Sequence, residues 1–162
     1  MTLNSPDGPT KLTMLYREQV WPSPWVFLST ALVIPASLLV FLPINLFAGM
    51  VSAVVLYGAI VTVLVATSPV ISVSPGQLIA GRARVPVDLI SAVSAFEGAE
   101  ATLQRGRLLD ARAWLLIRGW VSPVVRIDLS DASDPTPYWI VSTRTPTALV
   151  SAIARAKAAQ KL

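Results

Sequence analysis

Neither cysteine nor histidine occurs among the 162 residues, and each absence removes chemistry. Without thiols there is no disulfide, no CxxC redox pair and no cysteine nucleophile. Without imidazole as well, the usual structural zinc sites and a His- or Cys-ligated haem are excluded, and so are a Ser-His-Asp triad and a histidine general base. Charge is scarce too: 14% of residues are charged and 54% are hydrophobic, whereas a soluble domain carries about a quarter charged. The scarcity is local. From Gln19 to Gly81, bounded by Glu18 and Arg82, sixty-three residues contain no Lys, Arg, Asp or Glu. A stretch this long and uncharged reads as membrane sequence.

It is too long for one crossing and fits two. Trp25 to Leu42 and Phe47 to Ala66 each cover about 27–30 Å at the helical rise, joined by the turn Pro43-Ile-Asn-Leu46. The chain therefore divides into an N-terminal segment over residues 1–18, a two-helix transmembrane hairpin over 19–69, and a small domain over 70–162. Trp21 and Trp25, beside Pro22 and Pro24, are the expected membrane-interface anchors, because indole rings favour the headgroup layer. Pro35 should kink the first helix, with a neighbouring helix or the Ser37 hydroxyl relieving the lost hydrogen bond. Small residues (Ala31, Ala48, Gly49, Ser52, Ala53, Gly58, Ala59, Thr62) allow close helix approach. Neither span holds an ionisable group, so the hairpin reads as an anchor or packing surface rather than a transport path. A cleaved signal peptide is not expected, since the apolar sequence runs far beyond an h-region. Lys11 and Arg17 precede the first span, Arg82 and Arg84 follow the second, and the turn is uncharged. Both termini are expected in the cytoplasm.

Met1–Thr10 is rich in turn formers and reads as disordered. Lys11 to Trp21 reads either as a short interfacial segment, with Leu12, Leu15 and Tyr16 at helical spacing, or as a structureless lead-in. Beyond Pro69 the periodicity shortens to strands. Val70–Ser74 and Leu78–Ala80 flank Pro75-Gly76, expected as a type II turn. Arg82–Val87 continues the strand pattern, and Ile90–Phe96 forms the next strand. Residues 99–109 are either a short helix or a loop. Strands over 113–118, 123–129 and 138–143 follow, with Val125, Ile127 and Leu129 on one face and Arg126 and Asp128 on the other. Thr145 and Pro146 open an amphipathic C-terminal helix. The expected fold class is thus a membrane α-helical hairpin followed by a small α+β domain, read as a pleckstrin-homology-like antiparallel barrel with a C-terminal helix.

Several segments together resemble a known family: Tyr16-Arg-Glu18 ahead of a Trp/Pro-rich span, Gly81-Arg-Ala-Arg-Val-Pro86, Arg118-Gly-Trp-Val-Ser-Pro-Val-Val-Arg126, and Asp131-Ala-Ser-Asp-Pro-Thr-Pro-Tyr-Trp-Ile-Val-Ser-Thr-Arg144. They resemble DUF3093, actinobacterial two-span membrane proteins of unknown function. The resemblance runs from about Tyr16 to Ala154. It implies an actinobacterial plasma membrane and brings no catalytic residue, ligand or partner.

The domain after Gly81 holds eleven basic against seven acidic residues, a net +4, which suits a domain beside an anionic membrane. Arg82, Arg84, Arg105 and Arg107 are the candidates for a lipid headgroup or phosphate. Topology-setting and loop charge is the plainer reading of the same four. Glu97 and Glu100 read as solvated loop charge, and Asp131 and Asp134 as turn formers. Of Trp114, Trp120, Tyr138 and Trp139, alternation assigns one of the last two to the core and the other to a surface or the bilayer. No metal, cofactor or nucleic-acid partner is expected. The expected partners are the lipid bilayer and a membrane protein or a second copy. The expected function is a non-enzymatic membrane-anchored interaction module that binds a protein partner or anionic lipid. An accessory subunit of a larger membrane complex is the alternative, and an enzyme acting on lipid or peptide comes third.

Overall fold

A computed structural model describes residues 14–131 and 134–160. The expectations for Met1–Thr10 and for Lys11 and Leu12 lie outside the described residues.

The first described element corrects the reading of the head. Tyr16–Gln19 is a strand, β1, not a helical or structureless lead-in. Its sequence Tyr-Arg-Glu-Gln alternates half-buried Tyr16 and Glu18 with exposed Arg17 and Gln19, the period of a strand. The chain then enters two helices long and apolar enough to cross a membrane, Pro24–Phe41 and Leu46–Ala66. Only 6% and 11% of their residues are buried inside the protein, so neither is the core helix of a globular unit.

The first span is broken into α1 (Pro24–Thr30) and α2 (Val33–Phe41). The break falls at Ala31 and Leu32, one turn ahead of Pro35, whose ring crowds the carbonyl four residues back and cannot donate to it. Ile34 N takes the Ala31 oxygen instead, at 3.0 Å. The Ser37 hydroxyl does not relieve the loss; it donates to Val33 O at 2.7 Å. The second span, α3 (Leu46–Ala66), starts on Asn45, whose Oδ1 accepts from Phe47 N at 2.8 Å and Ala48 N at 3.3 Å. The hairpin closes on Gly49 and Ala53, which are buried on α3 against α2. A Cβ at Gly49 would stand 3.1 Å from Phe41 Cβ, so a hydrogen is what lets the helices touch. Ala59 and Thr62, expected in the same seam, are exposed.

The remaining chain folds as two sheets and two helices. Sheet one is antiparallel throughout, in the order β1, β2 (Val70–Val73), β3 (Gln77–Ala80) and β4 (Ala83–Pro86). Gly76 does not take positive φ, so Pro75-Gly76 is not the type II turn expected. The left-handed residue is Gly81 at φ 61°, opening the two-residue β3–β4 hairpin, where twist favours Gly at the first central position. A 3-10 turn at Val87–Leu89 leads to β5 (Ile90–Phe96), then α4 (Gly98–Arg105), which resolves the ambiguous 99–109 segment. Sheet two runs in the order β5, β7 (Val124–Leu129), β8 (Tyr138–Ser142) and β6 (Trp114–Leu116).

The antiparallel barrel is corrected in two respects. No barrel closes, and β6 runs parallel to β8. Because β7 occupies the place between β5 and β8, residues Arg118–Pro123 must carry the chain across to it from the far edge. Val121, 2% exposed, pins that crossing in the core.

One core unites both sheets and α5 (Pro146–Ala159): Ile71, Val73 and Leu78 from the first, Val125, Ile127 and Trp139 from the second, and Leu149 and Ile153 from the helix. Arg126 and Asp128 take the other face of β7, as alternation predicts, and pair at 2.9 Å. That face is only partly open, with Arg126 and Asp128 half-buried and its Tyr138 end covered by α4. Tyr138 is buried there with Ala101 of α4, Val124 and Ile140, so Tyr138 and Trp139 are both core residues on opposite faces.

The β1–β2 pairing yields a prediction. Replacing residues 21–68 with an Asn-Gly turn should give a soluble, folded domain, because Val20 N already donates to Pro69 O at 3.0 Å and Asn-Gly suits a two-residue hairpin. Chemical denaturation should show this protein to be more stable than residues 69–160 alone by about 2 kcal/mol or more. Equal stabilities would mean that β1 contributes nothing.

Candidate functional site

The two ends of the apolar helical hairpin leave sheet one from neighbouring strands, Gln19 standing opposite Val70. Around this base the polar side chains form two groups. In the first, Glu18 is held between β1 and the start of α5. Its Oε2 accepts from Tyr16 Oη at 2.6 Å and from Thr143 Oγ1, and its Oε1 accepts from Arg144 N at 2.9 Å. Tyr16 Oη also meets Thr145 Oγ1 at 2.7 Å, so Thr145 contributes to this cluster rather than capping α5 with its side chain. Arg144 Nη2 donates to Trp21 O at 2.7 Å, which ties the domain to the start of the first span. Burial, and next the Glu18 carboxylate, push the Tyr16 phenol above its ordinary 10.0.

The second group ends the second span. The last turn of α3 carries no basic residue, and its carbonyls need partners. Thr67 Oγ1 donates to Val63 O at 2.8 Å and Ser68 Oγ to Leu64 O at 2.9 Å. From the crossing loop, Arg118 Nη2 donates to Thr67 O at 3.1 Å. Arg118 N is fixed by Ser142 Oγ at 3.1 Å, and its guanidinium lies 5.9 Å from the Trp120 ring. Arg118 Nε is buried with no hydrogen-bond partner.

Beside this terminus a cavity of about 600 Å³ opens between the two sheets. Thr67, Ser68 and Pro69 form one wall, Gly81 and Arg82 of the β3–β4 turn another, and Trp114, Leu116 and Arg118 the third. Gly81 faces Leu116 of sheet two here, and a Cβ on it would meet Leu116 Cδ1 in ordinary contact at 3.4 Å; its φ of 61° is what calls for glycine. Among the described residues, two arginines and no carboxylate line the cavity.

This chain belongs to the DUF3093 family. The family model, described as a protein of unknown function, matches residues 15–153, from the first residues of the β1 segment into α5. No curated protein and no solved structure matches the chain. The DUF3093 match thus covers both apolar helices long enough to cross a membrane, both sheets and each group of polar contacts at the hairpin base.

Of the four arginines singled out in the sequence, only Arg82 lines the junction cavity. Arg84 is exposed on β4. Arg105 is occupied elsewhere, with Nε on Ala101 O at 3.3 Å and Nη1 on Val121 O at 3.5 Å, and Arg107 is exposed beyond α4. Trp25 is 71% and Trp21 46% exposed where the first apolar helix begins. Sequence reasoning missed Arg118 and Arg144 as site residues. Both lie in segments quoted for the family resemblance, and each sits in a connection whose path local periodicity does not set.

The raised Tyr16 phenol predicts a pH dependence. With its folded value above the unfolded one, stability is complete below pH 10.0 and declines as pH rises through the folded value, because the unfolded chain releases the proton first. Tyr16→Phe should lose about 1 kcal/mol at neutral pH and show a shallower alkaline decline. Thermal unfolding in detergent from neutral pH to about pH 11 checks this; parallel declines would contradict it.

Proposed function

We propose that this DUF3093 chain is a non-enzymatic, membrane-anchored interaction module. Its hairpin holds the α+β domain at the cytoplasmic face of the plasma membrane, where the domain engages anionic lipid. One observation carries this reading: the hairpin is inserted between adjacent, hydrogen-bonded strands, so the domain has almost no slack with which to leave the surface. That pairing also supports an even number of crossings with both ends on one side. The Lys and Arg flanking the spans favour the cytoplasm for that side. The net +4 after Gly81 favours an anionic surface. The likeness to a pleckstrin-homology domain is one of element order, strands followed by a helix packed over the core, without a closed barrel.

A second reading, an accessory subunit packed laterally against a larger membrane complex, is favoured by an apolar hollow of about 270 Å³ on the hairpin. Ile34, Ala53, Val54, Tyr57 and Gly58 line it, and a partner helix would fit it.

Gentle solubilisation and purification of the tagged full chain separates the two. Enrichment of anionic over zwitterionic lipid in the purified protein, with no stoichiometric partner, is the expected result. A stoichiometric membrane protein that also co-purifies with the hairpin alone would overturn it in favour of the accessory subunit.

A further inference from the structure

We propose that the junction cavity is a phosphate-binding site, with Arg82 and Arg118 as its anion ligands. This inference rests on the lipid-engaging reading above and gives it an address. The cavity begins where α3 ends, at Thr67 and Ser68. In a spanning helix that is the depth at which acyl chains give way to headgroup phosphates.

The donors at this site are unevenly committed. The Thr67 and Ser68 hydroxyls each give their proton to α3 carbonyls, so neither is free to donate to a ligand. Arg82 is exposed on the β3–β4 turn, and Arg118 spends one Nη2 bond on Thr67 O. Arg118 Nε is a buried donor without a partner, and such a group ordinarily costs stability unless an acceptor meets it. Nε is shut off from solvent in this conformation, so a phosphate oxygen meets it once the Arg118 side chain turns toward the cavity, where the planar guanidinium fork suits two oxygens at once.

The opposing possibility is that Arg118 serves only to neutralise the carboxyl end of α3. Magnitudes decide between them. A helix C-terminus presents about half an elementary negative charge, whereas the cavity holds two full guanidinium charges and no carboxylate among its lining residues. An uncompensated positive charge of about 1.5 remains after α3 is satisfied. Trp114 and Leu116 on the third wall give the apolar contact that the glycerol and first methylenes of a lipid need, which a bare inorganic anion does not use.

The full chain in a non-ionic detergent is titrated with short-chain phosphatidylglycerol, short-chain phosphatidylcholine, glycerol 3-phosphate and inorganic phosphate. Binding is read by native mass spectrometry and tryptophan fluorescence. Saturable uptake of one phosphatidylglycerol per chain is expected, in preference to phosphatidylcholine. Arg82→Gln and Arg118→Gln should each weaken it about fivefold, and Arg107→Gln should leave it unchanged. Arg118→Lys keeps the charge at the α3 terminus and loses the fork, so it should still bind more weakly than the wild type. Arg82→Gln keeps the test valid if Arg118 variants fail to fold. Equal affinity for glycerol 3-phosphate would assign the site to a soluble phosphate ester, and equal affinity for inorganic phosphate to the free anion, the same chemistry from another source. If Arg107→Gln weakens binding as much as Arg82→Gln, the cavity is overturned while diffuse attraction to anionic lipid stands. If the wild type binds neither phosphate nor phosphatidylglycerol better than phosphatidylcholine, the lipid-engaging reading falls as well.

Discussion

The hydrogen-bond ladder between β1 and β2 is the constraint on which the other contacts depend. It joins four residues before the apolar helical hairpin to four after it, from Tyr16 opposite Val73 to Gln19 opposite Val70. A strand of four residues is short, and a two-stranded ribbon is marginal alone in water. Here the ladder is extended by β3 and β4, and its inner face is packed against sheet two and α5. Globular domain and apolar hairpin therefore share one origin: the strands that begin the domain also fix where the hairpin starts and stops.

This arrangement sets the chemistry of the base. The hairpin ends sit close to polar groups, and each takes a hydrogen bond from the domain, beyond those that Thr67 and Ser68 give α3 from its own sequence. Arg144 reaches Trp21 O at the first span, and Arg118 reaches Thr67 O at the second. Glu18, the last charge before the uncharged stretch, gathers Tyr16, Thr143 and the Arg144 amide. Such charge-assisted bonds are stronger than neutral ones. The junction cavity lies within the same frame, so the two arginines that line it are positioned by both sheets and α3.

Much of this was legible in the sequence, and the exceptions are instructive. The two spans, the turn at Asn45, the strands of the domain and the C-terminal helix followed from periodicity and the uncharged run. The role of β1 did not. Its residues are polar, it is only four long, and its partner lies beyond the whole hairpin, so nothing local marks it as a strand. The break in the first span fell where Pro35 sterics put it, but Ser37 served its own turn instead of the lost bond. The parallel pairing of β6 was hidden because a strand's pattern does not state its neighbour, and Arg118 became a site residue only through the crossing that this pairing requires. Of the four arginines proposed from the sequence, Arg82 alone reached the cavity, since α4 directs Arg105 to carbonyls of its own side.

The absence of cysteine makes the central claim directly testable. The Val20–Pro69 hydrogen bond places Arg17 opposite Ser72 at a non-hydrogen-bonded position, where Cα atoms stand about 4.5 Å apart, within disulfide range. Full-length protein carrying Arg17→Cys and Ser72→Cys, purified in detergent and mildly oxidised, should form an intramolecular disulfide almost completely. The Arg17→Cys, Arg84→Cys control spans three strand spacings, about 14 Å, and should not. Cross-linking at 17 and 72 no greater than in the control would contradict a domain built from both sides of the membrane hairpin.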